Sequence, residues 1–367
     1  MKWSWKMTRI AGIDVYIHAT FLILLAWIAL TYWLVAGTLS AVLNGVAFIL
    51  ALFACVVLHE LGHALTARRF GIKTRDITLL PIGGVAAMER MPEDPRQEIL
   101  VALAGPAVNV MIAVVLWGWL WLGNGWVPAE RLSITGGPFV ARLMVVNLFL
   151  ALFNLLPAFP MDGGRVLRAW LAMRRDYSDA TRTAASIGQA LAFGLGLLGL
   201  LYNPFLLFIA LFVWIGAASE AAMIQMQTVL SGVAVGQAMQ TRFEALSPSA
   251  PLERAVELTL TSSQKDFVVL EGNKVVGVLT HTDLLKGLQR LGDHGRVGEV
   301  MEREFQTVEA DESLDKVLQR LQGCNCRLVP VIRSGRLVGV INLDNILEYV
   351  QMQAALHSGD GRGSFGA

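Results

Sequence analysis

"CVVLHELGHAL", Cys55–Leu65, carries two histidines and a glutamate into a run that otherwise reads as a membrane-spanning helix. Histidines four residues apart share one helical face, so His59 and His63 can both reach a single zinc ion. Glu60, between them, is placed to act on a water that the metal acidifies. In a soluble protein H-E-x-x-H is only moderately specific, because an amphipathic surface helix can carry those letters by chance. Within a span each ionisable residue costs about 2.5–3.5 kcal/mol on insertion scales and by default marks a site. The blander alternative is three groups merely hydrogen-bonded inside a bundle.

The surroundings make the span real. Of 367 residues, 54% are hydrophobic and 16% charged, and the mean hydropathy is +0.54, well outside the soluble range. Apolar runs crowd the chain before about residue 228 and predict six spans, at about Val15–Ala36, Ala41–Ala67, Ile99–Gly123, Val140–Leu156, Thr183–Tyr202 and Pro204–Ile224. The N-terminal run is too long for a signal-peptide core and lacks a small-residue cleavage site, so it reads as a retained span. Lys2, Lys6, Arg9, Arg68, Arg69, Lys73, Arg75, Arg90, Arg96, Arg165, Arg168, Arg174, Arg175 and Arg182 fall on one side of these spans, and Arg131 with Arg142 on the other. By the positive-inside rule both termini are cytoplasmic. A net charge of +1, with basic residues in short clusters beside apolar runs, gives no sign of a nucleic-acid partner. Cys55, Cys324 and Cys326 form no disulfide framework.

A hydrolytic zinc takes three protein ligands and keeps one position open. The best third candidate is Asp162, in "NLFLALFNLLPAFPMDGGRVL", where Pro157 and Pro160 break the preceding helix and Gly163-Gly164 follow. A proline-framed carboxylate can be aimed at a fixed point, although an aspartate capping the next helix is the alternative. Depth agrees with the pairing. His59 lies nine residues before Arg68, roughly 13 Å of helix from the cytoplasmic boundary at 1.5 Å per residue, and Asp162 lies at the cytoplasmic end of its own span.

H-E-L-G-H at 59–63 together with N-L-L-P-A-F-P-M-D-G-G at 154–164 resembles the site-2 proteases, which are intramembrane zinc metalloproteases. A-G-P-A-V-N at 104–109 and the Gly-Gly of P-I-G-G-V support the resemblance, which covers about the first 225 residues. It implies His59, His63 and Asp162 as ligands of one zinc per chain, Glu60 as general base, and Asn154 as a polar helper beside the scissile carbonyl. A transmembrane substrate must unwind locally to present its peptide bonds. The Gly83-Gly84 segment reads as a hairpin or re-entrant piece at the membrane edge, or as a plain cytoplasmic loop, and in the first case suits pairing with an extended substrate. His18, near the start of the first span, either supports the site or stands in as a ligand, the blander alternative being a hydrogen-bonded bundle histidine. Cys55 reads as small apolar packing.

After Gln225 the sequence turns soluble in character and repeats: "VVGVLTHTDLL" at 275–285 aligns with "LVGVINLDNIL" at 337–347 at an offset of 62, which also pairs Met239 with Met301 and Leu252 with Leu314. The repeat resembles a tandem pair of cystathionine-β-synthase (CBS) domains, βαββα units that pair about a pseudo-twofold axis and often bind ATP, ADP or AMP. That resemblance implies an adenine-nucleotide site at Thr280 and Asp283. The second copy has Asn342 and Asn345 instead, so at most one well-formed site is expected. The alternative is a ligand-free pair that is structural or joins two chains as a homodimer. Cys324-Asn325-Cys326 lacks a second ligand pair and is no metal site.

The expected fold class is thus an α-helical polytopic membrane protein with a C-terminal α/β tandem CBS module. Its parts are a protease domain at 1–228, CBS domains at 229–292 and 293–355, and a disordered tail at 356–367. The expected function is cleavage of membrane-anchored proteins near the cytoplasmic face of the cell membrane, under nucleotide control. A CBS-regulated channel or transporter, or a catalytically silent scaffold, competes less well, because neither needs H-E-x-x-H paired with a proline-framed aspartate.

Overall fold

The computed structural model describes residues 3–81, 83–89, 91–92, 94–123, 137–262, 264–323 and 327–360. The chain divides into two compact units, Met1–Ala222 and Met223–Ala367.

The first unit opens with β1 (Ser4–Ile10) and β2 (Ile13–His18), then α1 (Ala19–Ala36), α2 (Leu39–Arg69), β3 (Thr74–Leu80), β4 (Gly83–Met88), α3 (Pro95–Leu122), α4 (Phe139–Asn154), α5 (Asp162–Ala172), α6 (Tyr177–Leu201) and α7 (Phe205–Leu230). The expected first span, from Val15, is corrected: its start is strand. Ile13 and Val15 alternate inward, β2 pairs antiparallel with β1 and parallel with β3, and Ala11-Gly12, both at positive φ, make the two-residue hairpin turn. β-branched residues satisfied by neighbouring strands prefer a sheet even when they abut an apolar helix. The segment around Gly83-Gly84 is a hairpin, not a plain loop: β3 and β4 are antiparallel, and the sheet order β1-β2-β3-β4 leaves β4 at an edge. The sheet's inner face, with Ile77 and Leu79, packs on Phe21 of α1 and on Phe53, Val57, Leu61 and Ala64 of α2.

α1, α2, α3, α6 and α7 are long and apolar enough to cross a membrane. Six such spans were expected. The fourth, α4, has 16 residues, about 24 Å at 1.5 Å per residue and short of a hydrocarbon core of about 30 Å. Exposed Trp27, Trp33, Trp117, Trp119 and Trp121 cover helices that are apolar all round, as surfaces facing lipid do.

The second unit holds, after the end of α7, α8 (Val235–Ala238), β5 (Ala245–Leu246), α9 (Leu252–Thr261), β6 (Phe267–Glu271), β7 (Lys274–Leu279), α10 (His281–Leu291), β8 (Val308–Glu309), α11 (Leu314–Gly323), β9 (Val329–Arg333), β10 (Arg336–Ile341) and α12 (Leu343–Asp360). The duplication is visible as two three-stranded sheets, β5-β6-β7 and β10-β9-β8. Each copy lends its leading segment to the other. Leu230 and Val235 complete the core of Val308, Leu314, Val331 and Ile341, while Val297 and Met301 complete that of Leu246, Leu252, Phe267 and Leu279. The exchange is reciprocal in its backbone bonds: Gln240 and Val340 bond each other N to O at 2.8 and 2.9 Å, and Glu302 and Val278 do so at 2.9 and 3.0 Å. The expected boundaries at 229–292 and 293–355 follow the repeat, whereas the two cores cut across them. α12 runs to Asp360, so helix occupies the first residues of the expected tail, and 361–367 lie outside the described residues.

The exchange leaves no room at Gly277, where a Cβ would sit 2.8 Å from the Glu302 carbonyl oxygen and 2.7 Å from Met301 Sδ. Gly277→Ala is expected to destabilise the second unit by about 1–3 kcal/mol. Thermal unfolding of the full chain, followed by limited proteolysis within 233–352, measures this, and an unchanged midpoint would contradict the exchanged packing.

Candidate metal centre

Two helices converge on one point. α2 supplies His59 and His63, and α5 supplies Asp162 from its first turn, where the helix dipole favours a carboxylate. His63 Nε2 lies 3.1 Å from His59 Nε2 and 3.1 Å from Asp162 Oδ2, and His59 Nε2 lies 3.3 Å from the same oxygen. All three residues are buried. The far side of each imidazole is occupied by an acceptor: Val101 O stands 2.7 Å from His63 Nδ1 and Asn109 Oδ1 stands 3.1 Å from His59 Nδ1. Both rings therefore carry their proton on Nδ1, which fixes the tautomer and turns the Nε2 lone pairs inward. Two bare nitrogens and a carboxylate oxygen at such separations repel one another unless a cation lies among them. Tetrahedral ligands at zinc bond lengths of 2.0–2.1 Å stand roughly 3.3 Å apart, so the donor set fits zinc.

Val101, Gly105 and Asn109 are spaced by four and share one face of α3, as His59 and His63 share one face of α2. A Cβ at Gly105 would overlap His63 Nε2 and come within 2.7 Å of His59 Cε1. Gly62 makes the complementary approach, its missing Cβ falling 2.8 Å from Ala104 O. Two glycines thus bring α2 and α3 close enough for α3 to hold both rings. Asp162 is aimed by equally tight folding, since a Cβ at Gly163 would strike the carbonyls of Leu155 and Leu156 and one at Gly164 the backbone of Ala158 and Phe159.

Glu60 is half-buried on α2, against the edge strand, where a Cβ on Gly84 would lie 2.8 Å from Glu60 Cγ. Asn154 closes α4, and its amide donates to Leu150 O at 3.0 Å, within its own helix instead of toward the His–Asp cluster. His18 is the N-cap of α1, with Nδ1 2.8 Å from Thr20 Oγ1, and stands outside the cluster. Cys55 packs with Phe48, Leu143 and Val146. Thr280 and Asp283 close on each other: the Thr280 hydroxyl donates to Asp283 Oδ2 at 2.5 Å and accepts from Asp283 N at 3.2 Å, capping α10. Asn342 and Asn345 cap α12 in the same way, each amide oxygen accepting from the other's backbone N–H. Cys324 and Cys326 lie outside the described residues.

Asn109 had no assigned role in the sequence, although its place in A-G-P-A-V-N, a polar residue in an apolar span, was a signal. Arg168, counted there as a loop charge, is 1% exposed and paired with Glu98 and Glu220.

Known proteins are similar to this chain along most of its length. The model of peptidase family M50 matches residues 47–135 and 129–195, and that of the CBS domain matches 235–290 and 297–352. A zinc metalloprotease of Methanocaldococcus jannaschii is 34% identical over 348 residues, covering 95% of this chain and 96% of its own. A putative zinc metalloprotease of Synechocystis sp. is 30% identical over 381 residues, covering 95% and 96%. Among solved structures, a site-2 protease from Methanocaldococcus jannaschii is 39% identical, covering 60% of this chain and 95% of that one, with a TM-score of 0.44. A match at this identity along almost the whole length, on a chain with a His–His–Asp cluster among membrane-length helices, places the protein in peptidase family M50, the site-2 proteases, as a membrane zinc metalloprotease with a tandem CBS pair.

Proposed function

We propose that His59, His63 and Asp162 hold the zinc and that the protein cleaves membrane-anchored proteins near the cytoplasmic face. The observation that carries this reading is the meeting of three buried lone pairs, two from one helical turn and the third 99 residues beyond His63, at 3.1 to 3.3 Å. Zinc bound there supplies Lewis acidity toward a peptide carbonyl and acidifies a water molecule. Glu60 takes the proton of the attacking water and returns it to the leaving amine. Asn109 and the Val101 carbonyl keep the imidazoles in the binding tautomer throughout. An unwound substrate segment adds to the free edge of β4, beside Glu60. Asn154, one residue before the turn that leads to Asp162, serves the scissile carbonyl by turning its amide from Leu150. With the short α4 counted as a sixth crossing, the lysine and arginine asymmetry of the loops, even without Arg168, supports cytoplasmic termini and a cytoplasmic CBS pair.

With purified protein and a transmembrane substrate, Glu60→Gln is expected to keep its zinc and lose activity by about 10²–10⁴-fold. Cleavage by Glu60→Gln at the wild-type rate would end the mechanism. Gly105→Ala is expected to leave the protein folded but largely without zinc, as measured by metal analysis of the monodisperse fraction, because its methyl takes the space of the His63 ring nitrogen.

The CBS pair is the regulatory module of this reading, with adenine nucleotide meeting Thr280 and Asp283, the one copy that offers a hydroxyl and a carboxylate. Calorimetric titration of the full chain with ATP, ADP and AMP tests it. Binding to the native protein that is lost in Thr280→Ala is the expected result, and no heat with any of the three nucleotides would refute it.

A further inference from the structure

Beneath the metal cluster lies a second buried polar group that the chemistry above does not use. Arg168, on α5, is 1% exposed, and Glu98, on α3, is wholly buried. Arg168 Nε and Nη2 both donate to Glu98 Oε1, at 2.9 and 2.5 Å, and Nη1 donates to Glu220 Oε1 of α7 at 2.5 Å. The rings of Phe159 and Tyr177 flank the guanidinium, with centroids at 5.1 and 5.0 Å. Such a group is costly to desolvate. Replacement by apolar residues of similar volume is often neutral for stability, so stability alone does not account for it.

Its place in the chain gives it a use. Arg168 is six residues beyond Asp162, roughly 9 Å along α5, and Glu98 is three residues before Val101, roughly 4.5 Å along α3. The two halves of the metal centre ride on these helices: α3 fixes both histidines through Val101 and Asn109, and α5 carries Asp162. A closed ring of contacts results, from Asp162 along α5 to Arg168, across to Glu98, along α3 to the Val101 carbonyl, through His63, and back to Asp162 at 3.1 Å. The guanidinium's planar fork is directional, so it sets rotation and depth as well as distance. The proline-framed turn before Asp162 folds tightly onto the start of α5, so the carboxylate moves with that helix.

We propose that Arg168 is a positioning residue for zinc: clamped by Glu98 and Glu220, it sets α5 against α3 so that Asp162 meets the two histidines. This rests on the ligand assignment above, and the test separates the two. Zinc release from the folded, full-length protein into excess chelator is timed for wild type, Asp162→Ala, Arg168→Met, Arg168→Lys and the double variant Glu98→Gln/Arg168→Met. The double variant removes both buried charges at once and so keeps a folded protein to measure if Arg168→Met alone does not fold. Loss of an outer partner of a metal site typically weakens binding 10–100-fold. Release is therefore expected to quicken about tenfold or more in Arg168→Met and in the double variant, and less in Arg168→Lys, which restores the charge without the fork. Glu220→Gln is expected to have the smallest effect, because Glu220 is 25% exposed. Fast release from Asp162→Ala with wild-type release from the folded Arg168 variants overturns the positioning role alone. Wild-type release from Asp162→Ala overturns the ligand assignment and the positioning role with it.

Discussion

Everything in the first unit answers to one electrostatic constraint: two imidazole nitrogens and a carboxylate oxygen, all lone pairs, held about 3 Å apart in a region of low dielectric. Such an arrangement is repulsive by itself, so each group needs support from behind. α3 provides it for the histidines with a carbonyl, a missing side chain and an amide at four-residue spacing, and the glycines after Asp162 provide it for the carboxylate by letting the backbone fold onto itself. The helices cannot slide freely, because a one-residue shift of α3 would rotate its face by about 100° and withdraw both acceptors.

The same constraint explains the four-stranded sheet. β3 and β4 follow α2 directly, and the sheet's apolar inner face packs onto α2 through Phe53, Val57, Leu61 and Ala64, the side of the helix that does not carry the histidines. One face of α2 carries the two histidines and the other seats a sheet, and Glu60 falls at the border, against Gly84 of the edge strand. A carboxylate thus stands beside the edge strand of the sheet, in keeping with the general-base role proposed for Glu60. The small residue at 84 keeps the edge close to Glu60 without a side chain between them.

Much of this was legible in the sequence, because the informative residues were costly ones. His59, Glu60, His63 and Asp162 stood out as polar groups where apolar ones belong, and the CBS repeat stood out because one offset held throughout. What stayed hidden has physical causes. The strand at Ile13–His18 merged with the apolar helix after it, since hydropathy does not distinguish a β-branched strand from the start of a span. The Val101 carbonyl was invisible because every residue carries a carbonyl, and only the approach of α2 to α3 selects that one. Arg168 was misread for a related reason: charge next to an apolar run is the pattern of a loop, and its burial depends on Glu98 and Glu220, 70 and 52 residues away.

The two units solve the problem of close approach by the same device. In the first, Gly62 and Gly105 remove side chains where two helices must nearly touch; in the second, Gly277 and Gly339 do so where each copy receives the methionine of the other, Met301 and Met239. The consequences differ with the surroundings. Between membrane helices no hydrophobic force drives association, and small residues let packing and hydrogen bonds act, so the gain is a fixed placement of the two histidines. In the CBS pair the buried methionine and the reciprocal strand bonds couple the copies, because each core is unfinished without the other's leading segment. Neither half can fold to a complete core alone, so a ligand that bound one copy would be felt by both.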